Sequence, residues 1–231
     1  MLDLKGARQA AGEIGWLGLT PPAFRDSVLE RTALRAMKAG ETLHYVGDDA
    51  IGMYGVVAGR LRVNISAEDH GPYLVYLMRP GAWFGEGPSV TGGPRILTPS
   101  AAVDTQLLFV PLGGLHEIVL RNPAYWRFFF IPLLEHTEIA LGALSDLMLR
   151  DHTKRLVASL LRLAGSRTGQ PKPRGKIEIE ASQEEIAIMA NVARTTANSV
   201  LRKLAKDGLI EVGYGQVTLL SASRLRAMIA D

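Results

Sequence analysis

The strongest constraint on how this chain folds is a change of period at Pro111. Before it, from Met37 to Leu108, glycine recurs at positions 40, 47, 52, 55, 59, 71, 81, 85 and 87. Short runs rich in Val, Leu, Tyr and Ile lie between these glycines. Gly55-Val-Val-Ala-Gly59 leads into Arg60-Leu-Arg-Val-Asn-Ile65, which alternates polar and apolar, and Tyr73–Met78 and Leu107–Val110 read as further strands. Short strands parted by glycine turns predict an all-β barrel or roll. Glu68-Asp69-His70-Gly71 reads as a polar hairpin loop between two of them.

Helical periodicity dominates after Pro111. Leu112–Leu120 predicts a short amphipathic helix. Asn122 and Pro123 then open a long one, Asn as N-cap and proline in the first turn, running to about Arg150. Leu134, Thr137, Leu141, Leu144 and Met148 recur at 3-4-3-4 spacing, the seam of a coiled coil, so a dimer interface is expected there. Pro132 should kink the helix in its first third. Near the N-terminus, Thr20-Pro21-Pro22 predicts a helix start with Thr20 as the cap.

Charge separates the last third from the rest. Residues 1–150 carry 13 basic and 15 acidic side chains, a net −2, and residues 151–231 carry 13 and 8, a net +5. A basic module with an anionic partner is implied. The absence of cysteine excludes disulfides, iron–sulfur clusters held by thiolates and cysteine-ligated zinc. No secretory signal is evident, and the most apolar stretch, Phe128–Leu134, is too short to span a bilayer. A soluble, cytoplasmic protein without a membrane partner is therefore expected.

The basic third has its own grammar. Asp151 caps a helix from His152, and Lys176–Glu180 alternates as a short strand. Ser182-Gln-Glu-Glu185 is a capping box that opens a helix to Ala190. Asn191-Val-Ala193 is a short turn, Arg194–Asp207 a second helix closed by Gly208, and Leu209–Val212 with Gln216–Leu219 a hairpin. Helix, turn, helix and hairpin in that order predict a winged helix-turn-helix, whose second helix enters the major groove. The candidate DNA-binding residues are Ser182, Gln183, Arg194, Thr195, Thr196, Asn198, Ser199, Arg202 and Lys203. An arginine fork matches guanine O6 and N7, and an Asn amide pairs with adenine. Arg202, Lys203 and Lys206 suit phosphates, while Lys172, Arg174 and Lys176 flank a nearby loop.

These segments together resemble the CRP/FNR family of bacterial transcription regulators, whose prototype is the cyclic AMP receptor protein. The resemblance runs from about residue 15 to 220. Its carriers are Gly40-Glu41…Gly47-Asp48, Val56–Val63, Arg79-Pro-Gly-Ala-Trp-Phe-Gly-Glu86, the long helix from Asn122, and Ser182-Gln-Glu-Glu…Arg194-Thr-Thr…Leu201-Arg-Lys-Leu204. It implies an α+β architecture with three parts. Residues 1–121 would form a jelly-roll sensor of the cyclic-nucleotide-binding type (a double-stranded β-helix), 122–151 a dimerisation helix, and 152–231 a winged helix-turn-helix domain. It further implies a homodimer, a palindromic operator in double-stranded DNA and contact with RNA polymerase.

In that family a Gly-Glu pair receives the ribose of cyclic AMP, and an arginine followed by Ser or Thr receives the phosphate. The resemblance places Phe84, Gly85, Glu86, Arg95, Ala140, Leu141 and Leu144 at the effector site. The chain departs from the pattern in three places. Arg95 is followed by Ile96 and Leu97, Gly92-Gly93-Pro94 reshapes the preceding loop, and Ala140-Leu141 stands where the prototype has a hydroxyl pair. These departures point to a small effector other than cyclic AMP, or to none, while a cyclic nucleotide in an altered cassette stays open and the cofactor is unknown. None of His44, His70, His116, His136 and His152 shows the spacing of haem or metal ligands. Ala193 replaces the usual hydroxyl cap before Arg194. A regulatory module acting on a protein partner is the alternative, but it needs no helix such as Arg194–Asp207. No Ser/His/Asp set or phosphate loop supports an enzyme.

Overall fold

The computed structural model describes residues 1–67, 70–167 and 175–230. The chain divides into two compact units, one of residues 1–65 and 78–135, the other of 66–77 and 136–231.

The first unit begins with two helices in the segment Met1–Arg35, which reads as helical in part without bounds. Asp3 caps α1 (Leu4–Glu13) by accepting from the Gly6 amide at 2.8 Å. After α2 (Gly15–Gly18), α3 (Pro22–Leu29) is preceded by Pro21, not Thr20, at its N-cap. Thr20 is buried, and its hydroxyl donates back to the Leu17 carbonyl at 2.8 Å, so it closes α2 rather than opening α3.

The roll follows. Its strands are β1 (Ala33–Met37), β2 (Gly52–Ala58), β3 (Leu61–Ala67), β4 (His70–Met78), β5 (Trp83–Phe84), β6 (Thr98–Ala101) and β7 (Thr105–Pro111), with α4 (Glu86–Thr91) between β5 and β6. One sheet has the order β1-β7-β2-β5 and the other β4-β3-β6, and the pairs β1–β7, β2–β5, β2–β7 and β3–β6 run antiparallel. This is the expected jelly roll. His70 and Gly71 belong to β4 instead of a loop, and Glu68 and Asp69 lie outside the described residues. Gly55 is obligatory in β2, because a Cβ there would come within 2.4 Å of the Trp83 ring. The outer face of the first sheet, with Met53, Val57, Leu108 and Val110, packs against Ala7, Ala11, Trp16, Phe24 and Val28 of α1–α3. Leu115, Ile118 and Val119 of α5 (Leu112–Arg121) join the same core.

Asn122 caps as expected, accepting from the Ala124 amide, but Pro123–Tyr125 is a 3-10 turn. The long helix α6 therefore spans Trp126–Leu147 and stops short of Arg150, which leaves Met148 beyond its end. It is continuous through Pro132. A proline has no amide hydrogen, so the carbonyl four residues earlier, that of Phe128, loses its helical donor. The indole Nε1 of Trp16 takes that place, donating to the Phe128 carbonyl at 2.6 Å. Trp16 is itself buried against Phe24, Trp83 and Phe129, with ring centroids 5.4–5.7 Å apart.

The helical stretch Pro123–Leu147 is long and apolar enough to span a membrane by length and composition only, with a mean hydropathy of 1.2 and 11% of the window buried, a test that a helix of a soluble protein also passes. Its apolar residues include Phe130, Leu133, Leu134, Leu141, Leu144 and Leu147, all exposed.

The second unit holds α7 (His152–Leu163), β8 (Ile177–Ile179), α8 (Gln183–Met189), α9 (Arg194–Lys206), β9 (Ile210–Gly213), β10 (Gln216–Leu219) and α10 (Ala222–Ala230). Strand β8 adds to the hairpin to give a sheet of order β8-β10-β9. One apolar cluster runs from Leu156, Leu160 and Leu161 through Ile186, Leu201 and Leu204 to Val217 and Leu225, and it takes in Leu74 and Leu77 of β4.

Replacing Trp16 by Phe keeps the aromatic packing and orphans the Phe128 carbonyl. It should cost about 1–3 kcal/mol. Pro132→Ala restores the missing amide, so Trp16→Phe should cost less in that background. Urea unfolding of the single and double variants measures the difference, and equal costs would remove the indole from this role.

Candidate DNA-reading site and roll cluster

Three helix ends in the second unit use one device. In a Schellman end, a left-handed residue after the C-cap lets two amides reach back to the last turn. After α7, Gly165 (φ 63°) donates to Arg162 and Ser166 donates to Leu161. After α8, Asn191 (φ 50°) donates to the Ile188 carbonyl at 2.9 Å and Val192 to Ala187 at 3.0 Å. After α9, Gly208 (φ 65°) donates to Ala205 and Leu209 to Leu204. Asn191 is the single non-glycine residue with positive φ among the described residues, and it makes the turn between the two helices of the motif.

The capping box forms as expected. Glu185 donates its amide to Ser182 Oγ at 3.2 Å, and its carboxylate accepts from the Ser182 amide at 2.8 Å and from Ser182 Oγ at 2.9 Å. The Ser182 hydroxyl is thus engaged within the cap, and Gln183 beside it is half-buried. Ala193 gives α9 no side-chain cap. Ala197, Val200, Leu201 and Leu204 bury one face of α9. The opposite stripe, spaced i, i+4, i+7 and i+11, is Thr195, Ser199, Arg202 and Lys206, all exposed. Lys203 is exposed at its edge. Arg194 is exposed and lies 3.7 Å from Glu184 in a solvent-accessible ion pair. Thr196 and Asn198 are half-buried, and the Asn198 side-chain oxygen is shielded with no hydrogen-bond partner. Lys176 pairs with Glu211 at 3.2 Å, whereas Lys172 and Arg174 lie outside the described residues.

Two residues that the sequence reading missed hold this motif. Arg155 on α7 donates Nε to the Ala190 carbonyl (3.0 Å) and Nη2 to Asn191 (3.3 Å), and its Nη1 to Leu149 (2.7 Å) and Arg150 (3.2 Å). One guanidinium therefore ties the turn before α9 to the segment leaving α6. Asp146 is 2% exposed and accepts from Arg162 and, at 2.8 Å, from Arg167. Breaking such a buried pair leaves an uncompensated charge. In a sequence Arg155, Arg162 and Arg167 look like members of a basic face, and only their partners in the fold distinguish them.

In the roll, Phe84 ends β5, and Gly85 and Glu86 open α4. Gly85 (φ 94°) precedes α4, and a Cβ on it would come within 2.5 Å of Arg95 Nη1. Glu86 is 6% exposed and Arg95 2%. Arg95 donates Nη2 to the Gly52 carbonyl at 2.7 Å and lies over the Tyr54 ring, 5.4 Å from its centroid. Burial pushes the guanidinium's pKa down, while Tyr54, Asp48 and Glu86 push it back up. Phe84 stacks on Tyr54 at 5.6 Å. Ala140, Leu141 and Leu144 are exposed on α6 or partly so, and offer no hydroxyl. His44, near Tyr54 and Phe84, has its pKa lowered from 6.5 to about 4, mainly by burial and then by Arg95. No group of three or more His, Asp or Glu among the described residues is placed to hold a metal ion.

Two outcomes follow from this geometry. A lysine at 155 cannot span four carbonyls, so Arg155→Lys should weaken binding to a selected DNA site about tenfold, ~1.4 kcal/mol. A fluorescence anisotropy titration measures it, and unchanged affinity would show that the turn holds without the clamp. His44 has a folded pKa below its unfolded value. Its contribution is full above 6.5 and is lost as pH falls toward about 4. The melting temperature of His44→Gln should fall less over that interval than that of the parent; parallel curves would rule this out.

Comparison with known proteins agrees with the geometry. The family model for the cyclic nucleotide-binding domain matches residues 34–122, and that for the Crp-like helix-turn-helix domain matches residues 154–228. The transcriptional regulator SdrP of Thermus thermophilus is 28% identical over 198 residues, 84% of this chain and 92% of that protein. The cyclic AMP receptor protein of the same organism is 27% identical over 217 residues, 90% of this chain and 93% of that one. The crystal structure of a CRP/FNR-family transcriptional regulator from Thermus thermophilus, 26% identical, aligns with a TM-score of 0.65 over 86% of this chain and 99% of its own. With a roll, a long helix and a winged helix-turn-helix in that order, this chain belongs to the CRP/FNR family of transcription regulators.

Proposed function

We propose that the protein is a cytoplasmic, homodimeric, sequence-specific DNA-binding regulator gated by a small effector at the roll, and not an enzyme. The observation that carries the dimer is the apolar face of α6. Leu134, Leu141 and Leu144 are about 60% exposed, and Met148 just past the helix is 82% exposed. Thr137 lies on the same seam. Such a face is costly in water and matches the heptad pairing of a parallel helix dimer. The domain limits that fit this reading are 1–121 for the sensor, 122–151 for the dimerisation helix and 152–231 for the DNA-binding domain.

In the dimer two copies of α9 enter successive major grooves, one DNA turn apart on a palindrome. Arg194 and Asn198 read base edges near the start of the helix, with Thr195, Thr196 and Ser199 beside them. Arg202, Lys203 and Gln183 serve the phosphate backbone, and Ser182 acts there through the cap that positions Gln183. The effector biases two arrangements of the dimer, and the Phe84, Gly85, Glu86 and Arg95 region receives it, with Ala140, Leu141 and Leu144 as the apolar contribution of α6. RNA polymerase is the further partner. That a relative is a cyclic AMP receptor protein supports a small-molecule effector, while Ile96 after Arg95 argues against the same nucleotide here.

Leu141→Glu with Leu144→Glu should convert a dimer to a monomer in sedimentation analysis. It should also abolish selection of palindromic DNA from a random pool, while the winged domain keeps its fold by circular dichroism. A parent chain that sediments as a monomer, or a charged variant that remains a dimer, would overturn the assignment of this face.

A further inference from the structure

The effector-gated reading leaves open what the roll receives, and the following rests on that reading. The candidate is a cluster of side chains inside the first unit. Tyr54 lies at its centre, with Phe109 at 4.9 Å, Phe84 at 5.6 Å and His44 at 6.1 Å, centroid to centroid. Phe84 is nearly parallel to Tyr54, at 25°. Arg95 stands over the Tyr54 ring.

Several polar atoms in this cluster are stranded. Arg95 Nη1 is shielded from solvent and has no hydrogen-bond partner, although the residue is only 2% exposed. Both ring nitrogens of His44 are shielded and lack a well-formed hydrogen bond. The Leu97 backbone is near enough only to oppose the fall in the ring's pKa. A buried guanidinium donor without an acceptor is expensive, and nearly all buried polar groups find a partner. The local backbone is not free to relieve the strain. The Arg95 amide donates to the Asp48 carbonyl, and the Arg95 carbonyl accepts from Gly47, both at 2.8 Å, which pins the residue to the 47–48 loop. The missing acceptor must therefore come to Arg95.

The surroundings define its chemistry. Nη2 is committed to the Gly52 carbonyl, so Arg95 has Nη1 to offer from its terminal pair. Tyr54, Asp48 and Glu86 already offset its charge, and Arg35 is the weakest of the charges acting on His44. The neutral imidazole brings no second positive charge. One partly offset cation suits a monoanion with spread charge better than a phosphate dianion. The neighbours of Arg95 are aromatic rings packed on one another, so a ligand there would enter among them, and π faces favour a flat aromatic body. The residue after Arg95, Ile96, is 69% exposed and provides no hydroxyl.

We infer that the roll binds a small aromatic carboxylate, its carboxylate on Arg95 Nη1 and its ring against Tyr54 and Phe84. His44, neutral and with one donor and one acceptor nitrogen, meets a polar substituent on the ring. Tyr54 and His44 are the residues that set this specificity, and neither belongs to the sequence pattern by which the roll is recognised.

The test is a calorimetric titration of the full chain with benzoate, salicylate, cyclohexanecarboxylate, inorganic phosphate and cyclic AMP, with operator affinity measured at saturation. Benzoate and salicylate should bind saturably, salicylate the tighter. Cyclohexanecarboxylate, which keeps the charge but loses the π face, should bind at least about tenfold more weakly. Tyr54→Leu should erase that aromatic preference, and Arg95→Gln should abolish binding. His44→Gln, which leaves the arginine in place, should erase the preference for salicylate. Cooperative melting confirms that each variant is folded. Saturable binding of cyclic AMP or phosphate without benzoate overturns the ligand class and leaves effector gating standing. Benzoate binding that leaves operator affinity unchanged upholds the ligand class and overturns gating. No saturable binding by benzoate or salicylate overturns the inference itself.

Discussion

A proline inside a long helix is the constraint around which the first unit is built. Pro132 removes one amide, and the Phe128 carbonyl that it abandons lies at a part-buried position. The Trp16 indole satisfies that carbonyl from a helix over 100 residues earlier in the chain. A single hydrogen bond thus fastens the N-terminal helices to the start of α6. Around it Trp16, Phe24, Trp83 and Phe129 pack edge to face or tilted, a geometry that adds about 0.5–1.5 kcal/mol per pair beyond simple burial. The roll's first sheet and the start of α6 are held through this aromatic knot, and the helix stays regular enough to carry an apolar seam on its far side.

The second unit solves a different problem, which is to place a recognition helix that lacks its own cap. Ala193 supplies no hydroxyl, a loss that costs about 0.5–2 kcal/mol in other helices. The position of α9 is set from behind. Asn191 in the left-handed conformation fixes the chain reversal, and Arg155 holds the carbonyls of Ala190 and Asn191. The same guanidinium reaches Leu149 and Arg150. Any change in the segment that leaves α6 is therefore felt directly at the turn before α9. This is a short, contiguous path between the end of the long helix and the recognition helix, made of named hydrogen bonds.

Features governed by local rules were legible in the sequence. The Ser182–Glu185 box, the Asn191 turn, the Gly208 end and the Asp151 cap each depend on a few neighbouring residues, and each forms as read. Thr20 was misread because its hydroxyl has two local uses, and binding back to Leu17 won over capping forward. The extent of α6 was overstated because Pro123 tightens the first turn into a 3-10 form and the helix closes before Met148. The bounds of the N-terminal α1 stayed open because small residues (Ala7, Ala11) make its buried face, a weak hydrophobic signal. What stayed hidden is long-range: Trp16 with Phe128, Asp146 with Arg162 and Arg167, and Arg155 with four carbonyls. No spacing rule joins residues that the fold alone brings together.

The buried arginines show why partner chemistry, not burial, separates structural from functional charge. Arg162 is 7% exposed, yet its charge is neutralised in direct contact with Asp146, which also holds Arg167. Burial lowers its pKa and Asp146 opposes that shift, as expected of an ion pair sealed in a core. Arg95 is buried more deeply, at 2%, and meets a carbonyl and the face of a tyrosine in place of a carboxylate. A cation held in that way keeps most of its capacity to attract an anion. Asp48 and Glu86 act on Arg95 electrostatically, but its buried Nη1 has no acceptor, so the two sites are under different demands. The first locks the foot of α6 to the winged domain's own helix α7, and the second keeps a positive charge in reserve inside an aromatic wall.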